Sequence, residues 1–249
     1  MDSNFKLPTE TVELPSKGYL YSEDSPLAKG EIEMKYMTAK EEDILSNQNF
    51  IVNGTVIDKL LQSLIVTEGI KYSDILTGDK NAIMLAARIL SYGKDYTVSV
   101  GNQRVDIDLS EINNKPLHES IAGPMQNEFT FSLPSSGNVI TYKFLTHGDE
   151  LSIDKEIKGN KKINKEATTD ITTRLKHMIT SVNGKRDQKD IREFVDNYLL
   201  ARDARALRDE YASIQPDIDL TVSYTAANGG EEEMQLPIGL DFFWPDIKV

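Results

Sequence analysis

The chain has 249 residues, enough for one large domain or two small ones. Asp and Glu total 40 against 28 Lys and Arg, which gives a formal net charge of −12 and an isoelectric point near 4.8. A hydrophobic content of 39% indicates a soluble globular protein with a core to bury, not a disordered chain. The acidic balance argues against nucleic acid and anionic membranes as partners, because phosphate binding requires clustered Lys and Arg.

The compartment is indicated by what the sequence lacks. It contains no cysteine, which excludes disulfides, thiolate catalysis and Cys-ligated zinc. No stretch approaches the roughly 18 consecutive apolar residues of a membrane span. The N-terminus has neither the basic nor the apolar region of a signal peptide. We therefore expect the protein to fold in a cytoplasm.

The N-terminal part is predicted to be extended. Residues 1–29 contain Pro8, Pro15 and Pro26, and proline restricts both its own φ and the residue before it. We expect these residues to form an extended arm. The alternation of polar and apolar residues in 31–36 then predicts a half-buried strand.

Three helices are predicted next. Thr38 and Glu41 have the spacing of a capping box, which predicts a short helix to about Leu45. The apolar residues of 56–65 recur at the spacing of one helical face. A third helix is predicted over 80–92, with Asp79 as its N-cap and Gly93 as its end.

The remaining elements alternate between hairpins and helices. Period-two alternation predicts three hairpins, at 96–109, 129–145 and 218–236. Between the last two hairpins, Lys158–Lys165 is interpreted as a solvated loop, and Thr169 or Asp170 is predicted to cap a helix to about Val182. Asp187 is predicted to cap one longer helix through Tyr211, which Pro216 ends.

Because the helical and β-rich blocks are segregated, the predicted fold class is α+β. We expect a helical portion (36–94 and 160–215), a smaller antiparallel, ribbon-like β module (95–150 with 217–240), and the extended N-terminal arm. The segments around 95–110 and 217–240 should lie together. The regions in chain order are the arm 1–29, helical 30–94, β-rich 95–150, helical 151–215, and the hairpin with aromatic tail 216–249.

No motif in the sequence indicates catalysis. Phosphate-binding loops and a GxSxG elbow are absent, and the three histidines are scattered without metal-ligand spacing. His147 precedes Gly148, Asp149 and Glu150, a group interpreted as a solvated turn after a strand. We expect no enzyme activity, no cofactor and no metal. A metal-dependent hydrolase built on the carboxylate-rich loop at His147 is the alternative.

Two further features have competing interpretations. Arg202, Arg205 and Arg208 form a row on one helix, which is favoured as a solvated face balanced by Asp203, Asp209 and Glu210. With Lys158–Lys165, the same row would be the site of a nucleic-acid binder, a third hypothesis. The C-terminal Phe242-Phe243-Trp244-Pro245 either covers the core of this chain or anchors a partner.

Several segments together resemble a known family. They are Leu14-Pro15-Ser16-Lys17-Gly18-Tyr19-Leu20-Tyr21, Met34–Thr38, Glu41–Leu45, Asp79, Arg88–Gly93, Arg202–Arg208 and Phe242–Pro245. The chain is similar to the baseplate hub assembly (chaperone) proteins of T-even-like contractile-tailed phages. Some members carry Cys pairs near the positions of 98–104 and 224–229, which suggest a zinc-ribbon-like module. Without Cys, this chain must hold any such module by strand pairing and packing.

The resemblance implies a non-enzymatic protein that binds other tail proteins while the baseplate hub forms. It would act in a hetero-oligomeric assembly in the host cytoplasm and could remain in the virion. Extended ends suit this role because they can add strands to a partner's sheet. The expected partner-binding residues are Leu14, Pro15, Ser16, Lys17, Gly18, Tyr19, Phe242, Phe243, Trp244 and Pro245.

Overall fold

A computed structural model describes residues 7–101, 103–163, 169–226 and 229–243, and it confirms the α+β class. The strands in these residues are β1 Thr9–Glu13, β2 Glu31–Lys35, β3 Asp95–Val100, β4 Gln103–Asp108, β5 Phe129–Ser132, β6 Val139–Tyr142, β7 Ile179–Val182, β8 Thr221–Thr225 and β9 Glu231–Gln235. The α-helices are α1 Ala39–Leu45, α2 Gln48–Val52, α3 Val56–Leu64, α4 Thr77–Tyr92, α5 His147–Ile163, α6 Asp170–Met178, α7 Gln188–Asn197 and α8 Ala201–Ile214. Short 3-10 helices occupy Pro26–Lys29, Tyr72–Asp74, Leu109–Glu111 and Leu240–Phe243.

The strands form four small antiparallel sheets. Three are two-stranded, β1-β2, β3-β4 and β8-β9, and one has the order β5-β6-β7. All three predicted hairpins are therefore present. The helices predicted at α1 and α3 are confirmed too, and α1 has the predicted capping box between Thr38 and Glu41.

The chain builds two hydrophobic cores, each of which mixes helices and strands. The first contains β1, β2, α1–α4, the hairpins β3-β4 and β8-β9, and residues 240–243. The second contains β5-β6-β7 and helices α5–α8. This division differs from the predicted helical and β portions, because helices of 36–94 and of 160–215 pack into different cores.

The two hairpins of the first core lie side by side, as predicted. The Nε2 of Gln103, in β4, donates to the carbonyl oxygen of Thr225, in β8, at 2.6 Å. Residues 106–108 and 221–223 line the same surface hollow. The segments around 95–110 and 217–240 therefore lie together in one module.

The predicted extended arm is not confirmed. Residues 9–13 pair with 31–35 as β1-β2, and the chain then turns and packs into the first core. The described part of the predicted arm contains no α-helix, but Pro26 begins a 3-10 helix, and the β2-facing backbone groups of Glu10 and Val12 bond within this chain.

The predicted loop at Lys158–Lys165 is also wrong over its described residues, which continue α5 to Ile163. The helix begins at His147 because Thr146 and Asp149 bond reciprocally: Asp149 Oδ2 accepts from Thr146 N at 3.0 Å, and Thr146 Oγ1 accepts from Asp149 N at 3.2 Å. This is the logic of a capping box, with Asp in the place of Glu. The carboxylates after His147 therefore belong to the first turn of a helix, not to a loop.

Two helix boundaries predicted in the second core are wrong. The helix predicted to reach Val182 ends at Met178, because residues 179–182 pair with β6 as β7. The helix predicted from Asp187 to Tyr211 is two helices that meet at residues 198–200. The second, α8, is held by Asp203, whose carboxylate accepts from the backbone N–H of Ser135 at 2.7 Å and Ser136 at 3.0 Å.

Gly78 allows a close backbone approach between α4 and the segment after α8. A Cβ at this position, in the first turn of α4, would lie 1.8 Å from the carbonyl oxygen of Pro216. Helix α4 and the segment after α8 can meet here only because position 78 has no side chain.

Among the described residues, no helix combines the length and apolar character needed to cross a membrane.

Gly78→Ala should therefore lower the free energy of unfolding by about 3 kcal/mol or more, because backbone must move to remove the overlap. Gly159→Ala is the matched control, since Gly159 is also helical and a Cβ there meets nothing within 4 Å. That change should raise stability by about 0.5–1 kcal/mol. Chemical denaturation of both variants measures the difference, and equal stabilities would contradict the close approach.

Candidate functional site

Asp79 is the centre of a buried polar cluster in the first core. Its carboxylate accepts from Ser16 N at 2.9 Å, from Ser16 Oγ at 2.7 Å and from Tyr21 Oη at 2.6 Å. The Tyr21 hydroxyl in turn accepts from the backbone N–H of Leu76 at 2.9 Å. Segment 14–21 is thereby fastened to the start of α4.

The electrostatics of this cluster follow from its burial. Asp79 is fully buried, and burial raises its pKa, although hydrogen bonds from Tyr21 and Ser16 oppose the shift. Burial and the neighbouring carboxylate raise the pKa of Tyr21 as well, so its hydroxyl remains a donor. Asp79 lies in the first turn of α4, where the helix dipole favours negative charge.

The prediction that Asp79 caps α4 is wrong. The helix begins at Thr77, and Leu76 occupies the N-cap position. Asp79 lies inside the first turn, and its side chain bonds to a segment about sixty residues earlier in the chain. A local capping interpretation could not detect so distant a partner.

The predicted partner-binding residues of segment 14–19 are mostly buried in this chain. Leu14 is 1% exposed and Ser16 is 0% exposed, and Pro15 and Gly18 are also buried. Gly18, at φ +75°, lies against residues 28–30, where a Cβ would meet the Ala28 carbonyl oxygen at 2.4 Å. The members with exposed surface are Lys17 and, in part, Tyr19.

The C-terminal aromatic residues that the structure describes are buried too. Phe242 is 1% exposed and packs edge-to-face on Tyr96 at 5.1 Å, and Phe243 is 0% exposed. The interpretation in which the tail covers the core of this chain therefore holds for these two residues. Trp244 and Pro245 lie outside the described residues.

Arg88, which the sequence did not single out for this role, anchors the C-terminal segment. It is 1% exposed, and its guanidinium donates to the carbonyl oxygens of Phe242 at 2.9 Å, Gly93 at 2.9 Å and Asp95 at 3.3 Å. The rings of Tyr92 and Tyr96 lie 5.3 and 5.5 Å from its Cζ. Carbonyl oxygens and aromatic faces together compensate for the burial of the charge.

His147 lies in a second polar cluster, between the two cores. Its Nδ1 is 3.1 Å from Lys80 Nζ, and its Nε2 is 3.3 Å from Asp58 Oδ2. Since an ammonium group can only donate, Nδ1 must accept, and Nε2 carries the proton that faces Asp58. Tyr72 adds an edge-to-face ring contact to His147 at 4.7 Å and a hydrogen bond to Asp58 at 3.1 Å.

This arrangement lets Asp58 act as a half-buried anion. Burial alone raises the pKa of Asp58, but hydrogen bonds from His147 and Lys80 outweigh it and lower the pKa to about 2. Burial and the same carboxylate raise the pKa of Tyr72. The cluster joins α3, α4, the 3-10 helix at 72–74 and α5, and therefore fixes how the second core sits on the first.

The two carboxylates that follow His147 in the sequence, those of Asp149 and Glu150, do not contact it. Asp149 is paired with Lys143 at 2.8 Å, and Glu150 forms a bidentate pair with Arg174. The described residues contain no group of three or more His, Cys, Asp or Glu placed to hold a metal. Asp149 and Glu150, the carboxylates on which the hydrolase alternative was based, are thus paired with cations and not with His147.

The arginine row has the predicted solvated character. Arg202, Arg205 and Arg208 are exposed on α8, and Arg205 is 3.7 Å from Asp209. Asp203 does not balance this face, however, because it is fully buried and bonds to the turn between β5 and β6.

Comparison with known proteins identifies the class. The profile of the family described as T4 bacteriophage base plate protein matches residues 8–244. The chain therefore belongs to the T4 bacteriophage base plate protein family. No curated protein and no solved structure matches it.

Family membership has direct consequences for role and location. It makes the chain a phage baseplate protein, with a structural role in the tail, contacts to other tail proteins and a place in the virion tail. It also favours a non-enzymatic role. The matched region, residues 8–244, includes every predicted partner-binding residue except Pro245. Most of these residues that the structure describes are buried.

Tyr21→Phe should lower the free energy of unfolding by about 1–3 kcal/mol, because it removes one donor to Asp79 and leaves the Leu76 N–H unpaired. Tyr19→Phe is the matched control, since the Tyr19 hydroxyl has no hydrogen bond among the described residues. It should change stability by less than about 0.5 kcal/mol. Equal effects in urea denaturation would contradict the role of the Asp79 cluster.

Stability should also depend on the charge of Asp58. Because its pKa falls from 3.8 to about 2 on folding, the carboxylate stabilises the fold above its unfolded pKa, and this contribution is lost as pH falls toward about 2. The melting temperature of Asp58→Asn should therefore decline less steeply than that of the wild type between about pH 5 and about pH 2. Parallel curves would show that Asp58 contributes nothing to acid sensitivity.

Proposed function

We propose that this protein binds other tail proteins while the baseplate hub assembles in the host cytoplasm, and that it acts there as a non-enzymatic assembly protein. It forms a hetero-oligomer with at least one hub or tail protein and remains in the baseplate of the virion. The observation that carries the proposal is the family match over residues 8–244, nearly the whole chain.

The surface of the second core supports a role in partner binding. Tyr198 is 62% exposed and Leu200 is 51% exposed at the junction of α7 and α8. On α6, Ile171 is 53% exposed beside a cavity of about 200 Å³ that Leu175, Met178 and Tyr211 help to line. Exposed apolar and aromatic side chains next to a hollow are typical of sites that receive a partner's side chain.

The two chain ends remain part of the proposal in a narrower form. Four of the proposed residues have side chains buried in this chain's own core: Leu14, Ser16, Phe242 and Phe243. We therefore propose that partner contacts are made by residues with exposed surface, such as Lys17 and Tyr19. Trp244 and Pro245 remain proposed partner-binding residues.

Mass spectrometry of purified virions and of isolated assembly intermediates tests the proposed function. We expect this chain in both samples, and we expect it to co-purify with at least one other tail protein from infected cells. A chain that purifies alone throughout infection, and is absent from virions, would overturn the proposal.

Trp244→Ala should reduce co-purification of other tail proteins and leave the melting temperature near that of the wild type, since the proposal places this ring against a partner. Phe243→Ala is the contrasting variant. Phe243 is 0% exposed, so the change should cost about 3–5 kcal/mol of folding free energy. Unfolding of Trp244→Ala would instead assign Trp244 to the core of this chain.

A further inference from the structure

Strand β1 leaves one edge of its sheet open. The bonds from Leu14 N to Gly30 O at 2.8 Å and from Tyr36 N to Pro8 O at 3.3 Å flank the β1-β2 ladder and fix its phase. In an antiparallel ladder, every second residue turns its N–H and C=O toward the partner strand. The backbone groups of Thr9, Thr11 and Glu13 therefore point away from β2.

These outward groups have no hydrogen-bond partner within the described part of the chain. All residues of β1 are exposed except Val12, which is half-buried against the first core. The far edge of β2 differs, because the carbonyl oxygen of Glu33 accepts from Val66 N at 2.9 Å and its N–H donates to Thr67 Oγ1 at 2.7 Å. Among the described residues, the outer edge of β2 thus has hydrogen-bond partners and the outer edge of β1 has none.

The open edge is also strongly acidic. Glu13 lies directly opposite Glu31, and Glu33 lies opposite Thr11 on the same exposed face. None of these three carboxylates has an ion pair within the described residues. Like charges directly opposite each other in a sheet are destabilising, so a cation brought beside Glu13 would relieve a repulsion that exists in the free protein.

The charge of the whole chain has the same asymmetry. The parts of the sequence that contain the first core, 1–112 and 217–249, carry 25 Asp and Glu against 12 Lys and Arg. The part that contains most of the second core, 113–216, carries 15 against 16. The net negative charge therefore belongs to the half of the molecule that contains β1, and it favours a basic partner there.

We propose that the outer edge of β1 accepts an extended strand from another tail protein, with Lys or Arg beside Glu13 and an apolar residue beside Val12. Backbone bonds to Thr9, Thr11 and Glu13 supply the pairing, and the basic side chain supplies the selectivity. A second copy of this chain fits poorly, because pairing two β1 edges would bring together two halves of like charge. The inference rests on the proposed function, since it names the kind of partner.

Amide hydrogen exchange at single-residue resolution tests the pairing directly. In the free protein, the amides of Thr9, Thr11 and Glu13 should exchange fast, whereas those of Glu10 and Val12 should be protected by β2. In the purified assembly that contains this chain, the three outward amides should slow by about a hundredfold or more. Unchanged exchange of these three amides in the assembly would overturn strand addition.

Thr11→Pro removes one outward N–H and leaves every β1-β2 hydrogen bond in place, since proline is tolerated at outward positions of edge strands. Thr11→Val is the matched control, because it keeps the N–H and the β propensity. We expect Thr11→Pro to enter the assembly about tenfold less than Thr11→Val, with both proteins folded. If Thr11→Pro does not fold, the exchange measurement decides alone.

The outcomes separate the two proposals. If the chain is present in the assembly and its outward amides still exchange fast, strand addition is wrong and the proposed function stands. If Thr11→Pro enters the assembly as well as Thr11→Val, strand addition is also wrong. A concentration-dependent dimer that Thr11→Pro abolishes would identify a second copy and overturn the basic partner. If the chain is absent from virions and intermediates alike, both proposals fail.

Discussion

The carboxylate of Asp79 is the contact on which the arrangement of the first core depends. A buried carboxylate is costly unless donors replace its water, and Ser16 and Tyr21 supply three. The Tyr21 hydroxyl also accepts from Leu76 N, and Leu76 bridges to Thr146 of the second core. The ring of Tyr21 packs against both cores. One carboxylate therefore positions the N-terminal segment, the start of α4 and the beginning of the contact between the cores.

The contact between the cores includes a polar cluster. The Asp58–His147–Lys80 cluster joins α3 and α4 of the first core to α5 of the second. Buried ion pairs add little net stability, because the desolvation penalty offsets the attraction. Their directionality is strict, however, and a misplaced core would leave charges unpaired. The polar contact thus specifies one relative orientation of the two cores, which a protein in a precise assembly requires.

Local patterns predicted local structure well, and long-range partners explain the errors. The capping box at Thr38 and the apolar face of 56–65 depend on neighbours within four residues, and both were confirmed. Strand β7 was missed because its ladder to β6 joins residues about forty apart. The role of Asp79 was missed for the same reason, since a cap and a buried acceptor use the same residue type. The Thr146–Asp149 pair, by contrast, was a local signal that could have predicted α5.

Many of the residues that carry the family resemblance are buried and have structural roles within this chain. Leu14, Ser16, Asp79, Arg88 and Phe242 are all buried and bond or pack within this chain. Such positions tolerate few replacements, because each change leaves a cavity or an unpaired polar group. A sequence can therefore reveal its family through these residues and still not reveal what it binds. Binding specificity must come from features with no internal partner, and the unpaired backbone edge of β1 is one such feature, which side-chain patterns alone did not indicate.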